Sequence, residues 1–420
     1  MKTPIPDYLS GLLDKIRSTD SGKVADYIPE LAAAEPDYLG AALCTTTGHV
    51  YSAGDDSRRF TIQSISKPFI FALAVQEMGM AEVTRYVGME PSGEAFNELS
   101  LNAEDHRPVN PMINAGAIAV TQLINGVDSS VEDRVAQIQN YMSRLAGRDL
   151  EMDQNVCDSE LKHSDRNLSL AHMLRNYDII QDEAADAVLT YSSQCSLLVD
   201  VRDLAKMSAT LANGGRQPET GEKILDADVC RLTLSVMTSA GMYDGAGRWM
   251  ADVGIPAKSG VAGGLLGTLP GQLGFATFSP RLNPEGNSVR GVELFKLLSR
   301  DMGLHLMSTE ERYGIHPVRD IEETEDSTVF YLQGVINFNA AEQILYDMEH
   351  WENESSQMIL DLTQVTTSNR VGRNMLKEGL RRFKESGHSI GVIDTNDRLA
   401  DRRMSDGTEV PEHPPIDEDN

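Results

Sequence analysis

The chain has 420 residues, of which 40% are hydrophobic and 24% charged, and a formal charge of −27 at neutral pH. That length exceeds what one compact core supports and predicts two domains, or one large and one small. The acidic balance, with no basic stripe for phosphate, argues against nucleic acid and against anionic membranes as partners.

The N-terminus, MKTPIPDYLSGLLDKI, holds no uninterrupted apolar core after its lysine, so no secretory signal is expected. The segment GAALCTTTGHVYSAGD (40–55) reads as two strands joined by a turn at Thr47-Gly48. FTIQSISKPFIFALAVQEMGM then carries strand-like residues into a long apolar helix beginning near Ser64. Its apolar stretch, Pro68 to Val75, is far shorter than the ~18 to 20 residues of a membrane span, and no other run is longer. Helices are predicted at Val131–Ala146, Leu168–Asn176, Ala184–Leu189 and Arg202–Ala212, the last stopped by Asn213-Gly214-Gly215. PAKSGVAGGLLGTLPGQLGFATFSP reads as strands separated by glycine turns. Strands at both ends of this region, with helices between, predict one sheet built from both ends and backed by a helical subdomain.

From 308 to 326 the chain is charged and poor in apolar residues, which suits a linker. STVFYLQGVINF then reads as a strand pair, Ala340–Trp351 as a helix and QMILDLTQV as a buried strand. Val371–Ser386 reads as an amphipathic helix and HSIGVID as a further strand. Strand–helix alternation on this scale makes residues 327–404 a small α/β domain. Residues 405–420, rich in proline and acid, are expected to be a disordered tail. Cys44, Cys157, Cys195 and Cys230 lie far apart with no CxxC spacing, which argues against a zinc site and a disulfide framework. They read as small buried hydrophobes in a reducing compartment, and the cytoplasm is the expected location.

Ser64-Ile65-Ser66-Lys67 is an S-x-x-K tetrad at the start of the apolar helix. Its first and last residues share a helical face, so the lysine amine can reach the serine hydroxyl. Serine needs an adjacent base at neutral pH, and a buried lysine can supply one. A helix N-terminus adds backbone N–H groups for a developing oxyanion. The motif recurs by chance, and a second feature is needed. Lys258-Ser259-Gly260 supplies it, since S-x-x-K followed by K-[ST]-G pairs in serine β-lactamases and penicillin-binding proteins. Val261, after the triplet, is the candidate second oxyanion donor through its N–H. Alone, the glycine-rich run reads equally as an edge strand.

With these motifs the chain resembles the serine-dependent glutaminases of β-lactamase-like fold, from about Tyr8 to Leu306. The likeness runs through GKVADYIPEL (22–31), FTIQSISK (60–67), NPMINAGA (110–117), SELKHSDRN (159–167), YSSQCS (191–196), LANGG (211–215), GMYD (241–244) and PAKSGVAGG (256–264). The resemblance implies a catalytic domain over residues 1–307 with a penicillin-binding-like sheet and a helical subdomain. It implies hydrolysis of L-glutamine to L-glutamate and ammonia through a γ-glutamyl enzyme, without a cofactor or metal, by a homodimer or homotetramer. Ser64 is then the nucleophile, Lys67 its base, and Tyr191 and Tyr243 the phenols that bind substrate and shuttle protons. Glutamine contacts fall to Tyr27, Gln63, Asn114, Glu160, Asn167 and Tyr191, and the second oxyanion donor to Val261.

The chemistry fits these roles. A zwitterion needs an acceptor for its ammonium, which suits Glu160, and donors for its carboxylate; Asn114 and Asn167 can donate to that carboxylate or to the side-chain amide. Taken singly, Asn114 reads as a turn residue, Glu160 as one of 64 acids, and either tyrosine as a core aromatic. Lys67 and Lys258 are expected to lower the tyrosine pKa values and each other's, with Lys258 acting electrostatically. The loop EPSGEAFNEL (90–99), with Phe96, is where the family places a mobile access segment; the residues themselves read equally as an ordinary surface loop.

The C-terminal domain is similar to a STAS domain. Its turn Thr366-Thr367-Ser368-Asn369 lacks the D-S-S arrangement of phosphorylated members, so a docking or regulatory module for a protein partner is expected. Two other readings stand beside the glutaminase. A β-lactamase or peptidase would keep both lysine motifs, but Tyr191-Ser192-Ser193 has serine where asparagine belongs. A catalytically dead glutamine sensor would have no need of the full hydrolytic set.

Overall fold

The computed structural model describes residues 5–91, 101–126, 128–307, 316–324, 326–336, 338–351 and 357–415. The chain divides into two compact units, Met1–Ser308 and Thr309–Asn420. Of the loop 90–99, residues 92–99, Phe96 included, lie outside the described residues.

The first unit opens with α1 (Ile5–Ile16), whose Leu9, Leu12, Leu13 and Ile16 recur at helical spacing and are buried. A single turn, α2 (Pro29–Ala32), precedes the hairpin of β1 (Gly40–Thr45) and β2 (Val50–Gly54). β3 (Phe60–Thr61) leads through a 3-10 turn, Gln63–Ile65, into α3 (Ser66–Met78), which is buried from Ser66 to Val75. Pro68 sits in its first turn, where a proline costs no helix hydrogen bond. Six helices follow: α4 (Met80–Val83), α5 (Asn114–Thr121), α6 (Val131–Ala146), α7 (Gln154–Lys162), α8 (Asp165–Asn176) and α9 (Ala184–Cys195). The α6 bounds are those the periodicity predicts, whereas α8 starts earlier and α9 runs two turns further. β4 (Leu198–Val199) pairs with β3, and α10 (Val201–Ala212) is closed by a reciprocal Asp200/Asp203 capping box. The unit ends with α11 (Ala227–Ala240), α12 (Ala246–Asp252), β5 (Ala257–Ser259), β6 (Gly264–Leu269), β7 (Leu273–Phe278) and α13 (Val289–Met302).

Five of these strands form one antiparallel sheet in the order β2-β1-β7-β6-β5, joined from both ends of the unit. Alternation along each strand sorts its residues between two cores. Ala42, Leu266 and Ala276 share a core with α10, while Ala41, Leu43, Leu265 and Phe275 share one with α1 and α13. The approach of α10 needs glycine at one point: a Cβ on Gly274 would stand 2.2 Å from the Ala209 nitrogen.

The second unit is β8 (Val318–Glu323), β9 (Ser327–Ile336), α14 (Phe338–His350), β10 (Gln357–Ser368), α15 (Arg370–Glu385) and β11 (Ser389–Ile393). Its sheet order is β11-β10-β9-β8, with β10 parallel to both neighbours and β8 antiparallel to β9. Phe330, Leu332, Ile344, Leu360, Leu376 and Val392 meet in its core.

Three expectations are corrected here. The stretch read as linker contains β8, a strand that pairs on one side only and whose charged outward residues hide it from a composition count. STVFYLQGVINF is one strand, β9, whose antiparallel partner is β8. The described part of the segment read as tail, residues 405–415, is tied to the sheet: Val410 is 1% exposed, the Val392 amide bonds to the Pro411 carbonyl, and the His413 amide bonds to the Val392 carbonyl of β11. Proline and acid counts miss the one apolar side chain that anchors it. Among the described residues no helix is long and apolar enough to cross a membrane.

Candidate active site

A cavity of about 280 Å³ opens in the first unit where the segment before α2, the Gln63–Ile65 turn, α5, α7, α8, α9 and the turn between β5 and β6 converge. It falls below the roughly 300–1,000 Å³ of sites for drug-sized ligands, which suits a free amino acid. Of the sequence candidates, Tyr27, Gln63, Ser64, Asn114, Glu160, Asn167, Tyr191 and Val261 line it. Lys67, Tyr243 and Lys258 are buried behind its wall.

The two serines of the tetrad have separate duties. Ser66 is fully buried, donates to the Gln63 carbonyl at 2.7 Å and accepts from Gln194 at 3.1 Å, so it braces the turn. Ser64 faces the cavity, and its hydroxyl is hydrogen-bonded to the Tyr243 phenol. Two residues beside it hold left-handed backbone conformations, Gln63 at φ 51° and Tyr243 at φ 54°. Such conformations cost energy and concentrate where a side chain must be aimed. Gly241 allows the approach of the Tyr243 turn, since a Cβ there would lie 1.8 Å from the Ala257 carbonyl of β5.

Lys67 is 1% exposed, and burial lowers its amine to about 8. Its Nζ donates to Asn114 Oδ1 at 2.6 Å, and the Tyr191 hydroxyl donates to the same oxygen at 3.1 Å. Asn114 Nδ2 donates in turn to Asn167 Oδ1 at 3.1 Å. Side chains from α3, α5, α8 and α9 are thus tied through one amide. Asn114 is the first residue of α5 and no turn residue.

Lys258 is fully buried on β5, and its Nζ donates to the Ser259 carbonyl at 2.7 Å. Tyr243 donates to the same carbonyl at 3.0 Å, and the Lys258 amine stands 4.1 Å from the centre of the Tyr243 ring. Burial first, then the Lys67 charge, holds the Lys258 amine well below its ordinary value. The expectation that the two lysines lower the tyrosines is overturned. Burial, the largest cause in each case, raises the phenols of both Tyr191 and Tyr243, so each stays protonated.

At the other end of the cavity, Glu160 Oε1 accepts from the Tyr27 hydroxyl at 2.8 Å and from Gln63 Nε2 at 3.2 Å. Tyr27 exposes part of its ring while its hydroxyl turns inward. Burial raises the Glu160 carboxyl above its usual range, against the pull of those two donors. Val261 lies in the turn between β5 and β6, and its N–H donates to no backbone carbonyl among the described residues.

Four further residues line the cavity: His163, Arg166, Ser192 and Cys195. Cys195 lies one turn after Tyr191 on α9, a spacing from which it is readable, and burial pushes its thiol up to about 12. Arg166 is hidden because the apolar pattern starts α8 only after it. Ser193 turns its hydroxyl back to the Leu189 carbonyl at 2.8 Å within α9 and takes no part in the site, so it cannot replace the asparagine of a β-lactamase.

The glutaminase family model matches residues 22–307, and the STAS domain model residues 319–406. The glutaminase of Corynebacterium glutamicum is 61% identical over 405 residues, covering 96% of this chain and 98% of its own. Glutaminase 1 of Bradyrhizobium diazoefficiens is 41% identical over 397 residues, 90% of this chain and 64% of that one. Among solved structures, Mglu in its L-glutamate binding form in the presence of 4.3M NaCl superposes with TM-score 0.83 at 46% identity, covering 95% of this chain and all of its own. The fold, the cavity and these likenesses agree, and the chain belongs to the glutaminase family, with a STAS domain at its C-terminal end.

Proposed function

We propose that the chain hydrolyses L-glutamine to L-glutamate and ammonia through attack by Ser64 and a γ-glutamyl ester on that serine. The observation that carries this reading is the arrangement around Ser64: a phenol bonded to its hydroxyl and, one turn on, a buried lysine with its amine lowered to about 8.

Near pH 8 a large share of Lys67 is neutral and able to accept the Ser64 proton. The Ser64 oxygen forms a bond to the amide carbon, and the developing oxyanion lies toward the Val261 N–H and the backbone N–H groups at the start of α3. The carbon–nitrogen bond then breaks, and the nitrogen leaves as ammonia with a proton passed through Tyr243. Tyr243 acts as a relay and not as a base, because burial makes a phenolate costly: a proton enters as one leaves. Water repeats the sequence on the ester, returns a proton to Ser64 and releases glutamate. Attack and departure need only proton transfers, so no cofactor is required.

Substrate orientation follows from the polar lining of the cavity, which has to meet both charged groups of one α-carbon. Glu160, with the Tyr27 oxygen, receives the ammonium, and Asn114, Asn167 and Arg166 face the α-carboxylate. Mglu, in its glutamate form, is a relative that holds the product of this reaction.

The test is ammonia release from L-glutamine, L-asparagine and a penicillin by wild type and Ser64→Ala, with acid-quenched enzyme digested for mass spectrometry. The expected result is turnover of glutamine by wild type alone and one glutamyl group on the peptide carrying Ser64. Wild-type activity in Ser64→Ala would overturn the nucleophile, and no ammonia from glutamine would overturn the function.

A further inference from the structure

Glu30, in the single turn α2, stands outside the cavity yet is joined to it through one residue. Its Oε1 accepts from the Ser159 hydroxyl at 2.9 Å, and Ser159 directly precedes Glu160 on α7. Its other oxygen, Oε2, is buried without a hydrogen-bond partner among the described residues. A buried carboxylate oxygen left unpaired costs stability, and structures keep few of them without a use.

We propose that Glu30 is a second carboxylate for the substrate ammonium, a positioning residue that acts through space on the Glu160 end of the cavity and selects ligands bearing an α-amino group. This rests on the reading that Glu160 receives the ammonium.

The charges around that end make a second carboxylate useful. The groups facing Glu160 from other elements are Tyr27, Gln63, Tyr191 and Cys195, all neutral when buried phenols, amides and thiols keep their protons. His163 caps the same helix and Arg166 lines the cavity, so the formal charge there is one carboxylate against one guanidinium. One acid alone leaves little net field for a cation. Glu30 restores it from outside, where it neither occupies the cavity nor competes for the Tyr27 and Gln63 donors. It also repels a second negative charge on Glu160 and so works with burial in raising that carboxyl.

The two consequences run in opposite directions, and packing alone would produce neither pairing. In Glu30→Gln the shape is kept and the charge removed. The KM for L-glutamine and the inhibition constant of L-glutamate rise about fivefold, as expected for a charge acting through partly solvated protein. The inhibition constant of glutarate, which lacks the ammonium, stays unchanged or falls. The loss of L-glutamate binding on the acid side moves to lower pH by roughly half a unit, since Glu160 ionises more readily. An equal rise for glutamate and glutarate, or no change in either, would overturn the inference. Glu160→Gln, measured alongside, separates it from the reading beneath: if that substitution weakens glutamate and glutarate equally, the ammonium is not held by Glu160. If Glu160→Gln weakens glutamate and spares glutarate while Glu30→Gln weakens both equally or neither, only the role of Glu30 fails.

Discussion

Lys67 and Asn114 are joined by a 2.6 Å hydrogen bond in which the amine donates to the amide oxygen, so the lysine one turn from Ser64 is anchored to the helix opposite. The amide neither charges nor neutralises the amine. It fixes where Nζ sits and leaves burial to set its proton affinity.

Changing that amide to a carboxylate tests the point. In Asn114→Asp a negative charge lies against Lys67, and an opposite charge at this range raises an amine by roughly 1 to 3 units. A base must be neutral, so the rise of kcat with pH, placed near 8 in wild type, moves up by that amount. Activity at neutral pH falls accordingly. A pH–rate profile of kcat from 6 to 10 reads it; an unmoved profile would remove Lys67 as the base.

Tyr243→Phe keeps the ring beside Lys258 and deletes only the hydroxyl that links Ser64 to the Ser259 carbonyl. The expected loss is about 10²- to 10⁴-fold in kcat, the range of a positioned proton carrier. KM changes little, and stability drops by about 1 kcal/mol for one buried hydrogen bond. Steady-state kinetics and thermal melting measure both.

Lys258 gives a stability prediction of the opposite kind. Its folded amine lies well below the unfolded value, so folding releases a proton below the unfolded pKa and stability falls as pH drops through that window. Lys258→Met removes the cost. Its Tm at pH 7 is expected above that of wild type, by an amount equivalent to roughly 1 to 2 kcal/mol, with activity lost. The advantage shrinks as pH rises toward 10, and melting curves at several pH values show it.

All eleven site candidates fall in the unit Met1–Ser308, whose cores are built from its own residues. A chain ending at Ser308 is expected to keep kcat/KM for glutamine within about threefold, because the sheet and cavity lose no strand or wall. Kinetics on the purified shortened chain decide it, with total loss of a folded, monodisperse product counting against separable units.

The catalytic sheet, the α6 helix and the Ser64 tetrad were legible because each obeys a local period or a glycine-marked turn. Glu160 and Asn114 were not, in isolation. Their helices, α7 and α5, are short, and α5 is apolar on every side, so no stripe marks which face meets the cavity. The charge states of Tyr191 and Tyr243 escaped for a different reason. Residue types announce that lysines are present, but burial decides whether they carry charge, and burial is a property of the whole fold. In the second unit, β8 and the anchored Val410 segment were hidden by composition: a few apolar residues among many charged ones suffice when they sit at the edge of a formed sheet.

The sheet joined from both ends of the catalytic unit has a consequence for how the enzyme is made. β1 must find β7, Gly40 opposite Phe278, and β5, with Lys258, belongs to the same late segment. Ser64 therefore leaves the ribosome long before the strand that completes its surroundings. A nascent chain carries Ser64 without Tyr243 or Lys258 beside it, and synthesis of the last third of the unit completes the site.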